Sequence, residues 1–173
     1  MAPFLQHLQD YFRGERAEAL YFIVPTGVAL LGLAVVALRV ERGGFALGMA
    51  IPLFVFGLFM LTVGLVVGLR TPKQVATLEA EYAASPRAMV QKELPRMRKV
   101  NANWPVYVRA YGILILLGLL LRFVTQADWA RGVGPALVLV GALGFVIDGF
   151  AERRAHPYTE ALESLAKETG ATP

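Results

Sequence analysis

Residues 70–103 read RTPKQVATLEAEYAASPRAMVQKELPRMRKVNAN and form the only long polar stretch between otherwise apolar blocks. The stretch carries seven Lys and Arg side chains against three acids, Glu79, Glu81 and Glu93. Lys and Arg in the short loops of membrane proteins stay on the cytoplasmic side. The stretch therefore predicts a cytoplasmic segment with a hydrophobic hairpin on either side of it.

The composition places the chain in a membrane. Hydrophobic residues make up 56% of its 173 positions, above the roughly 45–50% of soluble domains, and they are concentrated in four runs of about the 20 residues that a crossing helix needs. We therefore predict an all-α integral membrane protein whose four transmembrane helices form two hairpins. Cysteine is absent, which excludes disulfides, thiolate metal sites and thiol nucleophiles.

The predicted organisation is a single membrane domain with seven consecutive parts. They are a cytoplasmic amphipathic arm at 1–19, spans at 20–38 and 45–69, a cytoplasmic helical segment at 70–103, spans at 104–127 and 133–150, and a cytoplasmic tail helix at 151–173. The outer turns are expected at 39–44 and 128–131. All Lys and Arg residues lie on the side of the central segment except Arg39, Arg42, Arg122 and Arg131. This asymmetry predicts that both termini lie in the cytoplasm. The frequent use of Gly, Ala, Leu, Val and Arg fits a bacterial source, so we expect a bacterial inner-membrane protein.

Local signals predict separate amphipathic helices outside the spans. Near the N-terminus one helical face, ending near Gly14, carries Phe4, Leu5, Leu8, Tyr11 and Phe12. This face is expected either to lie on the membrane surface or to pack against the protein's own cytoplasmic helices. Capping residues followed by proline, at Thr71-Pro72 and Ser85-Pro86, predict two helix starts in the central segment, and Pro157 predicts another in the tail.

Two charged residues lie inside the predicted spans at similar depth. Arg109 precedes the expected outer turn by about as many residues as Asp148 follows it. Paired charges cost less in a membrane than isolated ones, so we expect an intramembrane ion pair. The pair is either a structural link between the third and fourth spans or part of a proton or ion site.

Glycines at close spacing predict surfaces where helices pack against each other. The residues are Gly44 and Gly48, Gly64 and Gly68, and Gly141 and Gly144. Small residues let helix backbones approach closely in lipid, where the hydrophobic effect does not drive association. The packing is expected within the chain, with homo-oligomerisation through the second span as the alternative.

The central segment also predicts contacts with lipid headgroups or with a partner protein. The cationic residues that flank the apolar face of its second helix are Arg87, Lys92, Arg96, Arg98 and Lys99. Because these residues lie beside spans, anionic lipid headgroups are nearer to them than nucleic acid would be. No nucleic-acid partner is expected.

No combination of residues predicts catalysis or a bound cofactor or metal. His7 and His156 have no local ligand pattern, and Ser85 and Ser164 have no neighbouring histidine. We expect a non-catalytic protein that acts through protein contact, such as an immunity protein against a membrane-acting toxin or an accessory subunit. The alternatives are a small oligomeric transporter or channel subunit that uses Arg109 and Asp148, and a lipid sensor.

Overall fold

The computed structural model describes residues 3–171, which are almost entirely helical and include no strand. The helices are α1 (Pro3–Glu18), α2 (Val24–Val40), α3 (Gly44–Ala84), α4 (Pro86–Phe123) and α5 (Asp128–Glu168). A π-helical turn, Ala19–Ile23, joins α1 to α2. Within the described range, four continuous helices are long and apolar enough to cross a membrane: Pro3–Val40, α3, α4 and α5. This confirms the prediction of an all-α chain with four potential spans.

The expected separate helices outside the spans are instead continuations of the spans. α1 runs through Gly14 into α2, α3 runs through Pro72, and α5 runs through Pro157. The prediction of helix starts at Pro72 and Pro157 is therefore wrong. At Thr71 the side chain does not cap a helix start, because its hydroxyl donates to the carbonyl oxygen of Val67 at 2.7 Å. That bond is typical of a threonine inside a helix.

The helix start predicted at Ser85-Pro86 is present. Ser85 has extended backbone angles, and its Oγ accepts a hydrogen bond from the backbone N–H of Ala88 at 3.3 Å. α4 begins at Pro86, where proline fits the first helical position. Pro95 lies inside the continuous α4.

The turn between the last two spans lies at 124–127, and the prediction of 128–131 is wrong. The Thr125 hydroxyl accepts a hydrogen bond from the backbone N–H of Ala127 at 3.2 Å, which stabilises a turn before α5. Asp128 then falls in the first turn of α5. A carboxylate there interacts favourably with the positive end of the helix dipole, so its charge signals a helix start.

Exposed apolar side chains divide the molecule into two regions. In the described chain, the large hydrophobic residues that are exposed all lie within 21–69 or 106–150. We call residues 20–69 and 104–150 the span region, and residues 3–19, 70–103 and 151–171 the head. Exposed apolar side chains on all sides are expected of a surface that contacts lipid, whereas the head hides its large apolar groups as a water-exposed domain does.

The head contains the larger of two buried clusters, which we call the head core. It joins α1, the end of α3, the start of α4 and the end of α5, and its largest fully buried side chains are Phe12, Leu8, Met89, Met97, Tyr158 and Leu162. Tyr158 stacks on Tyr11 with ring centroids 4.8 Å apart. Of the two expectations for the N-terminal apolar face, packing against the chain's own helices is therefore what the structure has.

The second cluster, the span core, lies between α2, α3 and α5. Its members are Leu30, Ala34, Ala37, Ala50, Leu53, Ala136 and Val140. α3 contacts α2 on one side and α5 on the other, and α5 contacts α4. The spans therefore form a row in which α2 and α4 are the flanks.

Candidate functional site

A buried ion pair lies where the head meets the span region. Glu18, immediately before the π-helical turn, is 7% exposed and accepts a hydrogen bond from the Arg154 guanidinium of α5. Burial raises the pKa of the Glu18 carboxyl, the Arg154 bond opposes that rise, and the negative charges of Asp148 and Glu15 add to it. Glu18 Oε1 and Arg154 Nε are buried without a hydrogen-bond partner. The pair links α1 to α5 at the boundary between the two regions.

A second polar contact links α1 to α3 at the same level. Arg70 Nη2 lies 3.9 Å from Glu15 Oε1. The Thr71 hydroxyl, which donates to Val67, also lies 3.2 Å from Glu15 Oε2. The first helix is thus connected by charged groups to both central helices of the row.

Asp148 pairs with Tyr111 and not with Arg109. The Tyr111 hydroxyl donates to Asp148 Oδ2 at 2.5 Å. Arg109 is exposed, and its Nε donates to the backbone carbonyl of Pro105 at 2.9 Å. The structure does not bring Arg109 and Asp148 together, so the predicted intramembrane ion pair is absent.

The direction of each side chain around α4 explains this difference. Tyr111 faces α5, because a Cβ atom at Gly144 would meet its ring. Successive residues of an α-helix are about 100° apart, so two residues earlier Arg109 points to roughly the opposite side. The prediction compared depth only and took no account of angle. A usable signal was present in the spacing of Tyr111, Ile115 and Gly118, which repeats as one face of a helix does.

The six glycines predicted at helix contacts all face a neighbouring helix of the same chain. A Cβ at Gly44 or Gly48 would meet the backbone of Trp129 in α5, and one at Gly64 or Gly68 would meet residues 19–24 before and at the start of α2. Gly141 and Gly144 face Ile115 and Tyr111 of α4. Their close contacts are therefore intramolecular.

Other glycines at helix crossings were not predicted from the sequence. Gly27 faces Gly57 where α2 crosses α3, and Gly118 faces Gly134 where α4 crosses α5. A Cβ at Gly118 would lie 2.6 Å from the carbonyl oxygen of Gly134, so neither position has room for a larger residue. A spacing rule within one helix cannot find such pairs, because the partners lie on different helices.

The five cationic residues predicted to contact headgroups or a partner divide into two groups. Three are held by acids of the same chain: Lys92 by Glu81 at 2.5 Å, Arg96 by Glu93 at 2.6 Å and Arg98 by Glu163 at 3.1 Å. Glu93 is also bound by the Tyr158 hydroxyl at 3.2 Å. Arg87 and Lys99 are exposed and have no acid of the described chain within 4.0 Å.

Two grooves on the surface of the described residues could hold a ligand or a partner. The turn-side groove, of about 460 Å³, lies between α2, α3 and α5, near the turn that connects α2 to α3. It is lined by Val36, Val40, Glu41, Met49, Pro135 and Leu139, among others. The head-side groove, of about 680 Å³, lies between α1 and α3 and is lined by Arg13, Arg16, Leu20, Tyr21, Thr71 and Val75, among others. Both volumes fall in the range of pockets that hold small-molecule ligands.

The described residues include no group of three or more His, Asp or Glu side chains placed to hold a metal ion. Comparison of the chain with models of protein families, with curated proteins and with solved structures finds no match.

Proposed function

We propose that this chain is a non-catalytic, multi-pass membrane protein that acts by binding another membrane protein. The observation that supports this proposal is the turn-side groove. It opens beside the span core, and Glu41 is the only charged residue among the described residues that line it. Transmembrane helices associate by fitting into surfaces where small side chains allow close packing. The proposed occupant is one transmembrane helix of the partner protein.

We further propose that the protein resides in a bacterial inner membrane with its head and both termini in the cytoplasm. The support is the concentration of Lys and Arg in and beside the head, since such residues are retained on the cytoplasmic side. The turn-side groove would then open in the half of the bilayer that faces away from the cytoplasm. A helix that enters the membrane from outside would reach this half first.

This arrangement suits an immunity protein that captures a membrane-inserting toxin, and it also suits an accessory subunit of a larger complex. The two versions differ in their partner. The immunity version expects a gene for a small toxin beside the gene for this chain, and expression of the chain should protect cells from that toxin.

The experiment compares two adjacent valines of α2. Val36 lines the turn-side groove and is 54% exposed, whereas Val35 is 55% exposed and does not line it. The tagged chain and the variants Val36→Trp and Val35→Trp are purified from the native membrane in mild detergent, and copurifying proteins are identified and quantified. A stoichiometric partner that is lost with Val36→Trp and retained with Val35→Trp supports the proposal.

Two results would overturn the proposal that a helix of a partner protein binds in the turn-side groove. Recovery of a homo-oligomer that only Val36→Trp disrupts would show that a second copy of the chain fills the groove. A partner retained by both variants would show that contact is made elsewhere. Circular dichroism of both variants confirms that the added ring has not unfolded the chain, since both positions are exposed.

A second candidate function is a small oligomeric transporter or channel subunit. The observation that favours it is Asp148, an acid of the span region that adjoins a small cavity lined also by Tyr111, Trp104 and Glu152. Acids within spans often lie on ion pathways. If protons cross here, Asp148→Asn should abolish proton flux into liposomes, while Asp10→Asn in the exposed part of α1 should leave it unchanged. Absence of flux by the unmodified chain would contradict this candidate.

A further inference from the structure

The head-side groove crosses the boundary between the head and the span region. Leu20 and Tyr21 form its end toward the span region, and Tyr21, at 74% exposed, is the first exposed large hydrophobic residue of the described range 3–171. Arg13 and Arg16 lie one to two turns earlier on α1 and line the groove within the head. The groove is therefore cationic at one end and apolar at the other.

Its two arginines are available for an anion. Arg16 has no acid of the described chain within 4.0 Å. Arg13 approaches Asp10 only at 3.9 Å, and both side chains are largely exposed, so this contact contributes little. The one acid that lines the groove, Glu79, already accepts a hydrogen bond from Gln9 at 2.8 Å. Guanidinium groups bind phosphate through paired, charge-assisted hydrogen bonds.

The order of charged and apolar groups along the groove matches an amphiphile. A free anion would use only the arginine end, whereas a phospholipid would place its phosphate at the arginines and an acyl chain along Leu20 and Tyr21. The five cationic residues in the head part of α4 lack this combination. Three of them are held by acids of the chain, and the other two, Arg87 and Lys99, line neither groove.

We propose that the head-side groove binds an anionic phospholipid, with Arg13 and Arg16 at its phosphate. The bound lipid would fill the gap between α1 and α3 at the membrane boundary. This site is independent of the turn-side groove and of the partner proposed for it, because the two grooves share no lining residue.

The test measures binding of dioctanoyl phosphatidylglycerol to the purified full chain in uncharged detergent by isothermal titration calorimetry. The double variant Arg13→Gln/Arg16→Gln is compared with Arg87→Gln/Lys99→Gln, which removes the same number of exposed cations from α4. We expect about a tenfold or greater loss of affinity in the first and less than about a twofold loss in the second, because charge-assisted hydrogen bonds are lost only in the first. Added salt should weaken the binding.

Three outcomes would overturn the proposal. An equal loss in both double variants would show general attraction by the basic head and no specific site. Equal binding of dioctanoyl phosphatidylcholine would show that the negative charge is not recognised. Displacement of the lipid by inorganic phosphate at millimolar concentration would identify a site for free anions.

Discussion

The head core and the span core contain different side chains, although three of the four continuous helices contribute to both. The head core buries aromatic and long side chains, including Phe12, Tyr158 and Met97. The span core consists mainly of alanine with a few Leu and Val residues, and glycines lie at its helix crossings. In water, burial of large apolar groups stabilises a fold. In lipid that gain is absent, so close backbone contact replaces it.

The head and the span region also differ in the polar groups that they bury. Beside the head core, the carboxylate of Glu93 is 4% exposed and is held by Arg96 and by the Tyr158 hydroxyl. Burial raises the pKa of the neighbouring Tyr11 to about 12. The buried polar and charged residues of the described chain, Glu18, Thr71, Glu93 and Thr159, all lie in the head. A water-exposed domain can keep a buried acid because partners from other helices satisfy it.

The comparison predicts that loss of a large side chain affects the head most. Phe12→Ala should lower the free energy of unfolding by about 3–5 kcal/mol, since Phe12 is 1% exposed and its removal leaves a cavity. Phe59→Ala removes the same group from a position of the span region that is 60% exposed and should change stability by less than about 1 kcal/mol. Unfolding by sodium dodecyl sulfate in mixed micelles measures both. Equal losses would mean that the head core is not held by apolar burial.

The span core should instead be most sensitive to added volume. A Cβ at Gly48 would overlap the backbone of Trp129, so Gly48→Ala must push α3 away from α5. We expect a loss of about 1–3 kcal/mol, as for other overpacked sites. At Gly32, which has nothing within 4 Å of the added atom, the same change should be neutral or stabilise by up to about 1 kcal/mol.

A head glycine extends the same test. At Gly14 an added Cβ would meet only the flexible side chain of Arg154, so Gly14→Ala should cost less than Gly48→Ala in the same unfolding assay. A larger loss at Gly14 than at Gly48 would contradict the view that backbone contact distinguishes the span region.

The features that depend on one-dimensional patterns were predictable from the sequence. Four apolar runs predict the four long helices, because length and hydropathy suffice for a membrane span. The start of α4 was predicted correctly because Ser85 caps it at a point where the backbone leaves the helical conformation. The continuation of α3 through Pro72 was not, since local capping signals do not reveal that α1 packs along this segment, where Glu15 meets Arg70 and Thr71.

The features that depend on angle or on a distant partner were not predictable. Tyr111 and Asp148 are 37 residues apart in the chain, and their contact requires the rotation of α4 as well as its depth. The pair of Glu18 and Arg154 spans 136 residues and depends on how α1 docks on α5. Residue spacing within one segment does not identify a partner on another segment. The two grooves were not predicted for the same reason, because each forms between different helices.

The pH dependence of Glu18 is the finest test of the boundary between the two regions. Burial raises the pKa of Glu18 in the folded protein above its ordinary value of 4.5. The folded chain therefore keeps this proton to a higher pH than the unfolded chain does. The resulting stabilisation is fully present below about pH 4.5 and is lost as the pH rises through the folded-state pKa.

Glu18→Gln mimics the protonated carboxyl and cannot titrate, so the variant provides the reference for this effect. The unfolding free energy of the unmodified chain minus that of Glu18→Gln should decrease as the pH is raised from about 4 to 8, measured by thermal unfolding in detergent. Glu160→Gln, at an exposed position of α5, should give a difference that varies less with pH. If the Glu18 difference increased with pH, Arg154 would be the dominant influence on the carboxyl, and the junction would behave as a simple ion pair exposed to water. A decrease would show instead that desolvation prevails where α1 enters the span region, as expected if lipid-facing packing begins immediately after Glu18.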